Sequence, residues 1–513
     1  GVKNTSVFLG AGADSLTVAL TADDFSLTAT GDNYIAITGA TGGSTAAGVT
    51  NTITLGAGTD SLVLTGAVTN TVVKMAAGND SISLGEDLSG STGAFTIYGG
   101  EGTDTLYLGA DKDVADASFT NVTGVEAVRY AGADDTASNT LTLGAKAQAA
   151  GIVKAQATGD DGDITATAYT TAIHLIAGTA TSDLTGGSAA DTLVGGAGVN
   201  VMTTSGGNDT LTGAGGDDDF VIDGTAAQTV TITDLSEGDS IATSATATVN
   251  ATVKAAAGVT ATDANNKGTI NVTVTDDVTA GQTVSFAAVN AAADENGYTI
   301  DASANNNAIL LLGTKSADTI TSGTGNDTIT GGAGADSLIL GSGVDGVVAT
   351  TGLTVDNITG FGSNDVFGIS VGGLETAENV VTGLTMDLTD SDGTATDANT
   401  TAVVLAVAGA TTLTKTATIL SYTAAKVANA AALETALEVG GGVLTTEADT
   451  GLTKDDAFLI QYQDSDTNGW NLAVINSTAT VAKNVQIAAV EVTDLFTTDY
   501  TSAFVAANFD YVA

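Results

Sequence analysis

Cysteine and proline are absent from this 513-residue chain, which has one histidine (His174), one tryptophan and one arginine (Arg129). Without cysteine there is no disulfide framework and no thiolate nucleophile. A lone histidine removes the HExxH zinc site, the imidazole-rich zinc cluster and the Ser-His-Asp pattern, except through His174 itself. That residue lies in the apolar run TAIHLIA, where a structural role is expected. Lys and Arg number 13 against 59 Asp and Glu, for a net charge of −46. Such a chain is repelled by phosphate, so nucleic acid and anionic membrane surfaces are excluded as partners. Long apolar runs are missing too: the longest, AVVLAVAGA at Ala402 to Ala410, falls far short of the roughly 20 residues of a membrane span. No membrane insertion is expected.

What is present is light and weakly charged. Only 14% of residues are charged and the mean hydropathy is +0.25, which is not the profile of a disordered chain. Short runs of Val, Ile, Thr and Leu alternate with clusters of Gly, Asn, Asp and Ser, the pattern of many short strands and tight turns. The fold class is therefore all-β. A single short helix is expected near the C-terminus, over Thr423 to Leu437, where Val427, Ala431 and Leu437 share a face and Gly440 to Gly442 supply the stop. Residue 1 is Gly rather than Met, so the expectation is a processed chain or missing upstream sequence.

Internal repeats decide the architecture. From Gly186 the chain cuts into nines: GGSAADTLV, GGAGVNVMT, TSGGNDTLT and GAGGDDDFV. Position six reads Asp191, Asn200, Asp209 and Asp218, and position eight reads Leu193, Met202, Leu211 and Phe220. From Gly313 the cuts are GTKSADTIT, SGTGNDTIT, GGAGADSLI and LGSGVDGVV, with Asp318, Asp327, Asp336 and Asp345 at position six. The same turn recurs at wider spacing nearer the N-terminus, as GAGADSL with Asp14, GAGTDSL with Asp60, AAGNDSI with Asp80 and GGEGTDTLY with Asp104. GDNYI, with Asn33 in the acid's place, falls where an intermediate coil between Asp14 and Asp60 is due.

These units resemble the repeats-in-toxin (RTX) nonapeptide, GGxGxDxUx with U a large apolar residue. The resemblance implies a parallel β-helix and calcium β-rolls, with calcium as the cofactor, on the order of ten ions in all. Calcium takes six to eight hard oxygens at about 2.3–2.6 Å, and a short turn reaches that number only if backbone carbonyls join the carboxylates. Glycine lets those carbonyls converge. The implied ligand turns carry Gly99, Gly100 and Gly102; Gly186, Gly187, Gly195, Gly196, Gly198, Gly206, Gly207, Gly215 and Gly216; and Gly323, Gly325, Gly331, Gly332, Gly334, Gly341 and Gly343. One ion between successive turns on the same side would pair Asp191 with Asp209, Asn200 with Asp218, Asp318 with Asp336, and Asp327 with Asp345. Asn200 brings no charge, and Lys315 and Ser316 stand where glycine is preferred, so those coils are expected to bind weakly or to cap the stack. Closing strands at Val230 to Ile241 and Asn357 to Ile369 offer Asp239 and Asp365 to complete the last sites.

The expected organisation is a β-helix with calcium turns over 1–110, its continuation over 111–185, a roll with closing strand over 186–245, a β-rich spacer over 246–312, a second roll over 313–375, and a β-rich C-terminal domain over 376–513. Within the spacer, TINVTVTD and YTIDAS read as strands, and TGVEAVRYAG resembles a coil of RTX-bearing surface-layer proteins. A hairpin is expected over Ala457 to Asn476, and the aromatic, acidic tail ending in FDYVA resembles the uncleaved signal of type I secretion substrates. The acids in Asp387 to Asp397 read as solvated or calcium-binding loops. No enzyme motif fits the residue content: the GxSxG elbow is missing, and a carboxylate-only glycosidase dyad is the remaining catalytic alternative. The resemblance implies a secreted, calcium-dependent structural protein on the surface of a Gram-negative-type bacterium. There it would assemble with copies of itself as a surface-layer lattice, anchored through a glycan or lipopolysaccharide by a region the sequence does not identify. The alternative is an extracellular adhesin or filament subunit.

Overall fold

Strict alternation sets the strands. In Thr192–Val194, Thr210–Thr212 and Thr319–Thr321 the central apolar residue is buried and both neighbours are half-buried, the two-residue period of a pleated strand with one face on a core. The computed structural model describes residues 5–370 apart from 20–24, 39–40, 43–50, 66–67, 86–87, 89–94, 110–112, 132–138, 160–161, 180, 225–226, 245–246, 254–257, 261–267, 290–295, 350–355 and 363. Beyond 370 it describes the strands Val404–Val407, Thr411–Leu413, Ile419–Val427, Leu444–Thr446, Ala457–Asp464, Trp470–Ser477, Val490–Thr498 and Phe509–Val512. The chain divides into two units, Gly1–Asp234 with Gly238–Asn250, and Leu235–Glu237 with Ala251–Ala513. Parallel strands stack in each as a β-solenoid.

In the first unit, strands from successive coils pair in parallel and in register. Ile35, Leu62, Ile82, Leu106, Val128, Ala155, Leu175, Leu193 and Leu211 thereby form one column. On a second sheet Leu27, Ile53, Val73, Ile97 and Val122 form another. Farther along, Leu141, Ile164, Leu184, Met202, Phe220 and Ile241 form a third. The core is therefore thin, one to three inward side chains per strand, and continuous along the stack.

The second unit repeats the plan. Ile300, Ile320, Leu338 and Ile358 align on one sheet, and Val284, Leu311, Ile329 and Val347 on the other. The expected spacer strands are present as Thr269–Val274 and Tyr298–Asp301. The C-terminal tail supplies a further coil: Phe496 to Thr498 pair in parallel with Asp356 to Ile358, and Phe509–Val512 with Phe367 to Ser370. The expected hairpin forms as the antiparallel pair Ala457–Asp464 and Trp470–Ser477.

The helix expected over Thr423 to Leu437 is corrected at its start. Thr423 to Val427 end the strand Ile419–Val427, which pairs with Val404–Val407 on one side and Ala457–Asp464 on the other. Helix propensity differs among ordinary residues by only a few tenths of a kcal/mol, and sheet pairing overrides it. Residues 428–437 lie outside the described residues, as do Asp387 to Asp397. A six-residue helix that the pattern did not announce sits at Ala145–Ala150. The Asp116 carboxylate holds it in place, accepting from the Gly144 and Ala147 amides at 2.8 and 2.9 Å. Among the described residues no helix is long and apolar enough to cross a membrane.

Leu211→Ala, at a fully buried position in the column, should cost about 2–5 kcal/mol. Thr192→Ala, half-buried on the directly paired strand of the neighbouring coil, should stay within about 0.5 kcal/mol. Urea unfolding of both variants in calcium checks the contrast, and equal losses would contradict the column.

Candidate metal centre

Each turn that links a strand to the next sheet places its acid directly over the acid of the neighbouring coil. The backbone N–H of one acid donates to the carboxylate Oδ1 of the acid one coil on: Asp60 to Asp80 at 2.8 Å, Asp80 to Asp104 at 2.9 Å, Asp191 to Asp209 at 2.7 Å. On the opposite edge Asn200 donates to Asp218 at 2.8 Å and Asp218 to Asp239 at 2.9 Å. In the second unit Asp318 donates to Asp336 at 2.8 Å, Asp327 to Asp345 at 2.9 Å and Asp345 to Asp365 at 2.9 Å. All four expected pairs, 18 residues apart, are thus neighbours. Asn33 stands in register between Asp14 and the next coil, and its N–H donates to Asp60 at 2.8 Å.

The other carboxylate oxygen divides these acids into two kinds. Asp191 Oδ2 accepts from the Gly187 amide at 2.6 Å, Asp327 Oδ2 from Gly323 at 3.0 Å, and Asp318 Oδ2 from Thr314 at 2.6 Å. Asn200 Oδ1 accepts from Gly196 at 2.6 Å, and Asp365 Oδ2 from Gly362 at 2.6 Å. By contrast Oδ2 of Asp60, Asp80, Asp104, Asp209, Asp218, Asp336 and Asp345 is buried with no hydrogen-bond partner. A buried polar atom left unmatched costs free energy, and a charged one costs more. The first two positions of each nonapeptide block, Asp191 with Asn200 and Asp318 with Asp327, are therefore satisfied by the protein. The later ones lack a positive partner.

Glycines form the rest of the cradle. A Cβ on Gly331 would stand 2.2 Å from Asp336 Oδ2, on Gly213 2.5 Å from Asp218 Oδ2, and on Gly99 2.6 Å from Asp104 Oδ2. At position four, Gly343 has φ +143° and its Cβ would meet the Gly325 carbonyl at 2.0 Å. Gly102, at φ +129°, would meet Gly78 at 1.8 Å. Gly100, Gly187, Gly195, Gly207, Gly216, Gly323, Gly325, Gly332, Gly334 and Gly341 also pack against backbone of a neighbouring turn, whereas Gly206 leaves ordinary contact distance to Ser188 and Gly215 faces open space. Any side chain at the crowded positions would fill the space beside the carbonyls and the unpartnered oxygens. Among the described residues no three acids or imidazoles converge, so a cation here must draw most of its ligands from the backbone. Those donors are hard oxygens, which suit calcium.

Burial raises the carboxyl pKa values, opposed in part by the backbone hydrogen bond each acid accepts. Asp209, Asp218 and Asp318 are pushed up to about 7 and Asp80, Asp336 and Asp345 to about 6. Asp60, Asp104, Asp191 and Asp327 move the same way.

Some members of the columns escape the nonapeptide pattern. Glu126 accepts the Asp104 N–H at 2.8 Å and Asp356 accepts that of Asp336 at 2.9 Å. Both follow at coil spacing, 22 and 20 residues on, which is the signal that could have found them. Asp163 and Asp183 form a second column, the Asp183 N–H donating to Asp163 at 2.9 Å, without any glycine turn to mark it.

Three segments, residues 83–115, 185–220 and 312–347, match the model of the RTX calcium-binding nonapeptide repeat. The chain carries RTX repeats. Such repeats bind calcium and indicate an extracellular calcium-binding repeat protein. Neither the curated proteins nor the solved structures contain a significant match to the chain.

Two outcomes follow. Asp209→Asn combined with Asp336→Asn keeps the Oδ1 acceptor and deletes a charge from each roll. The calcium midpoint of folding, followed by circular dichroism, should rise roughly tenfold if about 1.4 kcal/mol of ion binding is lost; an unchanged midpoint would remove these acids from the site. In chelator the pH dependence has a definite sign. Folded pKa values of about 6–7 for Asp80, Asp209 and Asp336 exceed the unfolded value of about 3.9. The folded state then binds more protons, and stability is gained below the unfolded pKa and lost as pH rises through 6–7. Chelated protein should therefore regain β signal at pH 5 and lose it at pH 8, and calcium should abolish that difference.

Proposed function

We propose that this is a secreted, calcium-dependent structural protein that assembles with copies of itself into a surface-layer lattice on a bacterial cell. The observation that carries the reading is the set of buried, unpartnered carboxylate oxygens repeated along the turns of both units. At the low calcium of a cell interior those acids repel one another in a chain of net charge −46, which opposes compaction. At about millimolar calcium outside, the affinity range of extracellular modules is met and binding energy becomes folding energy. A type I route, which exports unfolded chains, fits this switch, with the C-terminal tail as its signal.

For contact between copies the reading looks to exposed apolar side chains such as Phe8, which is 77% exposed on the strand Thr5–Ala11. The reading assigns the protein no catalytic role. An adhesin or filament subunit would share the calcium switch and differ in how copies meet.

Negative-stain electron microscopy of chain dialysed from chelator into millimolar calcium separates these. Ordered sheets appearing only with calcium are expected. Filaments would support the alternative, and dispersed folded monomers would overturn assembly while leaving the calcium sites standing. Phe8→Asp should reduce sheet formation without changing the calcium midpoint.

A further inference from the structure

Basic side chains are so few that their gathering is informative. The single arginine, Arg129, shares one sheet of the first unit with Lys154 and His174. Register sets Ala127 beside Lys154 and Lys154 beside His174, with Tyr107, Arg129 and Gln156 forming the next row. Val128 and Ala155, between these positions, are buried, so alternation turns both rows outward. Thr103, Thr105, Arg129, Lys154 and Gln156 line a shallow pocket of about 180 Å³.

The Arg129 guanidinium lies 5.5 Å from the Tyr107 ring centroid, a cation–π distance that holds it in place. Among the described residues neither Arg129 nor Lys154 forms an ion pair, in a chain with 59 acids. The acid closest in sequence, Glu126, accepts the Asp104 N–H at 2.8 Å through one carboxylate oxygen and forms no ion pair with either cation. Beside Lys154, the Nε2 atom of His174 is buried with no partner. Two neighbouring cations that form no ion pair repel one another, and an oxyanion between them would relieve that repulsion.

We propose that this pocket binds the acid group of a saccharide, a sugar carboxylate or a sugar phosphate. Guanidinium offers a planar fork to an oxyanion and ammonium a point charge. The Gln156 amide and the threonine hydroxyls suit the donors and acceptors of sugar hydroxyls. The volume is below the roughly 300–1,000 Å³ of pockets for drug-sized ligands, which fits one sugar unit and not a folded segment. Binding does not depend on the lattice reading; only a role as envelope anchor rests on it.

Calorimetric titration of the full chain in millimolar calcium tests the site with glucuronate, glucose 1-phosphate, glucose and sulfate as probes. Glucuronate or glucose 1-phosphate should bind, glucose should not, and sulfate should bind about tenfold more weakly. Which of the two acid sugars binds tells a carboxylate from a phosphate source. Arg129→Gln with Lys154→Gln should weaken binding about tenfold or more while the calcium midpoint stays unchanged. If that pair does not fold, Gln156→Ala should still weaken binding about threefold. No heat from either acid sugar, equal binding by the variants, or sulfate binding as tightly as the sugars would overturn the proposal. So would loss of calcium-induced sheets in the double variant without any sugar binding, which would make the patch a contact between copies.

Discussion

The structure depends on one hydrogen bond repeated from coil to coil, in which a carboxylate Oδ1 accepts the backbone N–H of the acid before it. That bond matches a turn amide that no strand partner can reach, and it fixes coil register at the point where the chain changes direction. It also draws each carboxylate into the turn. Once there, the group has one matched oxygen and one buried oxygen that is unmatched in Asp209, Asp218 and Asp336. The same contact that aligns the coils therefore creates a demand for positive charge. Protons at low pH and calcium at neutral pH are the two ways to meet it.

Packing and charge are coupled through glycine. A core of only a few inward side chains per strand offers little burial per coil, so the stack depends on close approach of successive turns. Gly331 and Gly343 permit that approach. Crowding carbonyls and carboxylates together without a cation opposes folding, and with one it supplies the ligands. The demand for a cation is then a property of each column of turns and not of a single acid.

Most of the architecture was legible because both of its periods are short. Alternation marked the strands, and a nine-residue phase through Asp191 to Asp218 and Asp318 to Asp345 marked the turns. Glu126 and Asp356 were less legible because they continue a column after the glycine pattern ends, where only spacing of 22 and 20 residues identifies them. The Ala145–Ala150 helix was invisible because six residues are too few for a helical period, and its capping acid, Asp116, is remote in sequence. The strand at Ile419–Val427 contradicted a helical pattern because parallel partners on both sides outweighed local propensity.

Composition and repeat phase by themselves determined the fold class, the sign of the electrostatics and the calcium chemistry. Periodicity and charge are local properties, and every coil states them again. Which acids are satisfied by their own turn and which retain an unmatched oxygen was decided only by tertiary structure. Asp191 and Asp209 occupy the same position of the same motif, yet one accepts the Gly187 amide and the other has no second partner. The gathering of Arg129, Lys154 and His174 is likewise tertiary: they lie far apart in sequence, and only parallel register sets them side by side.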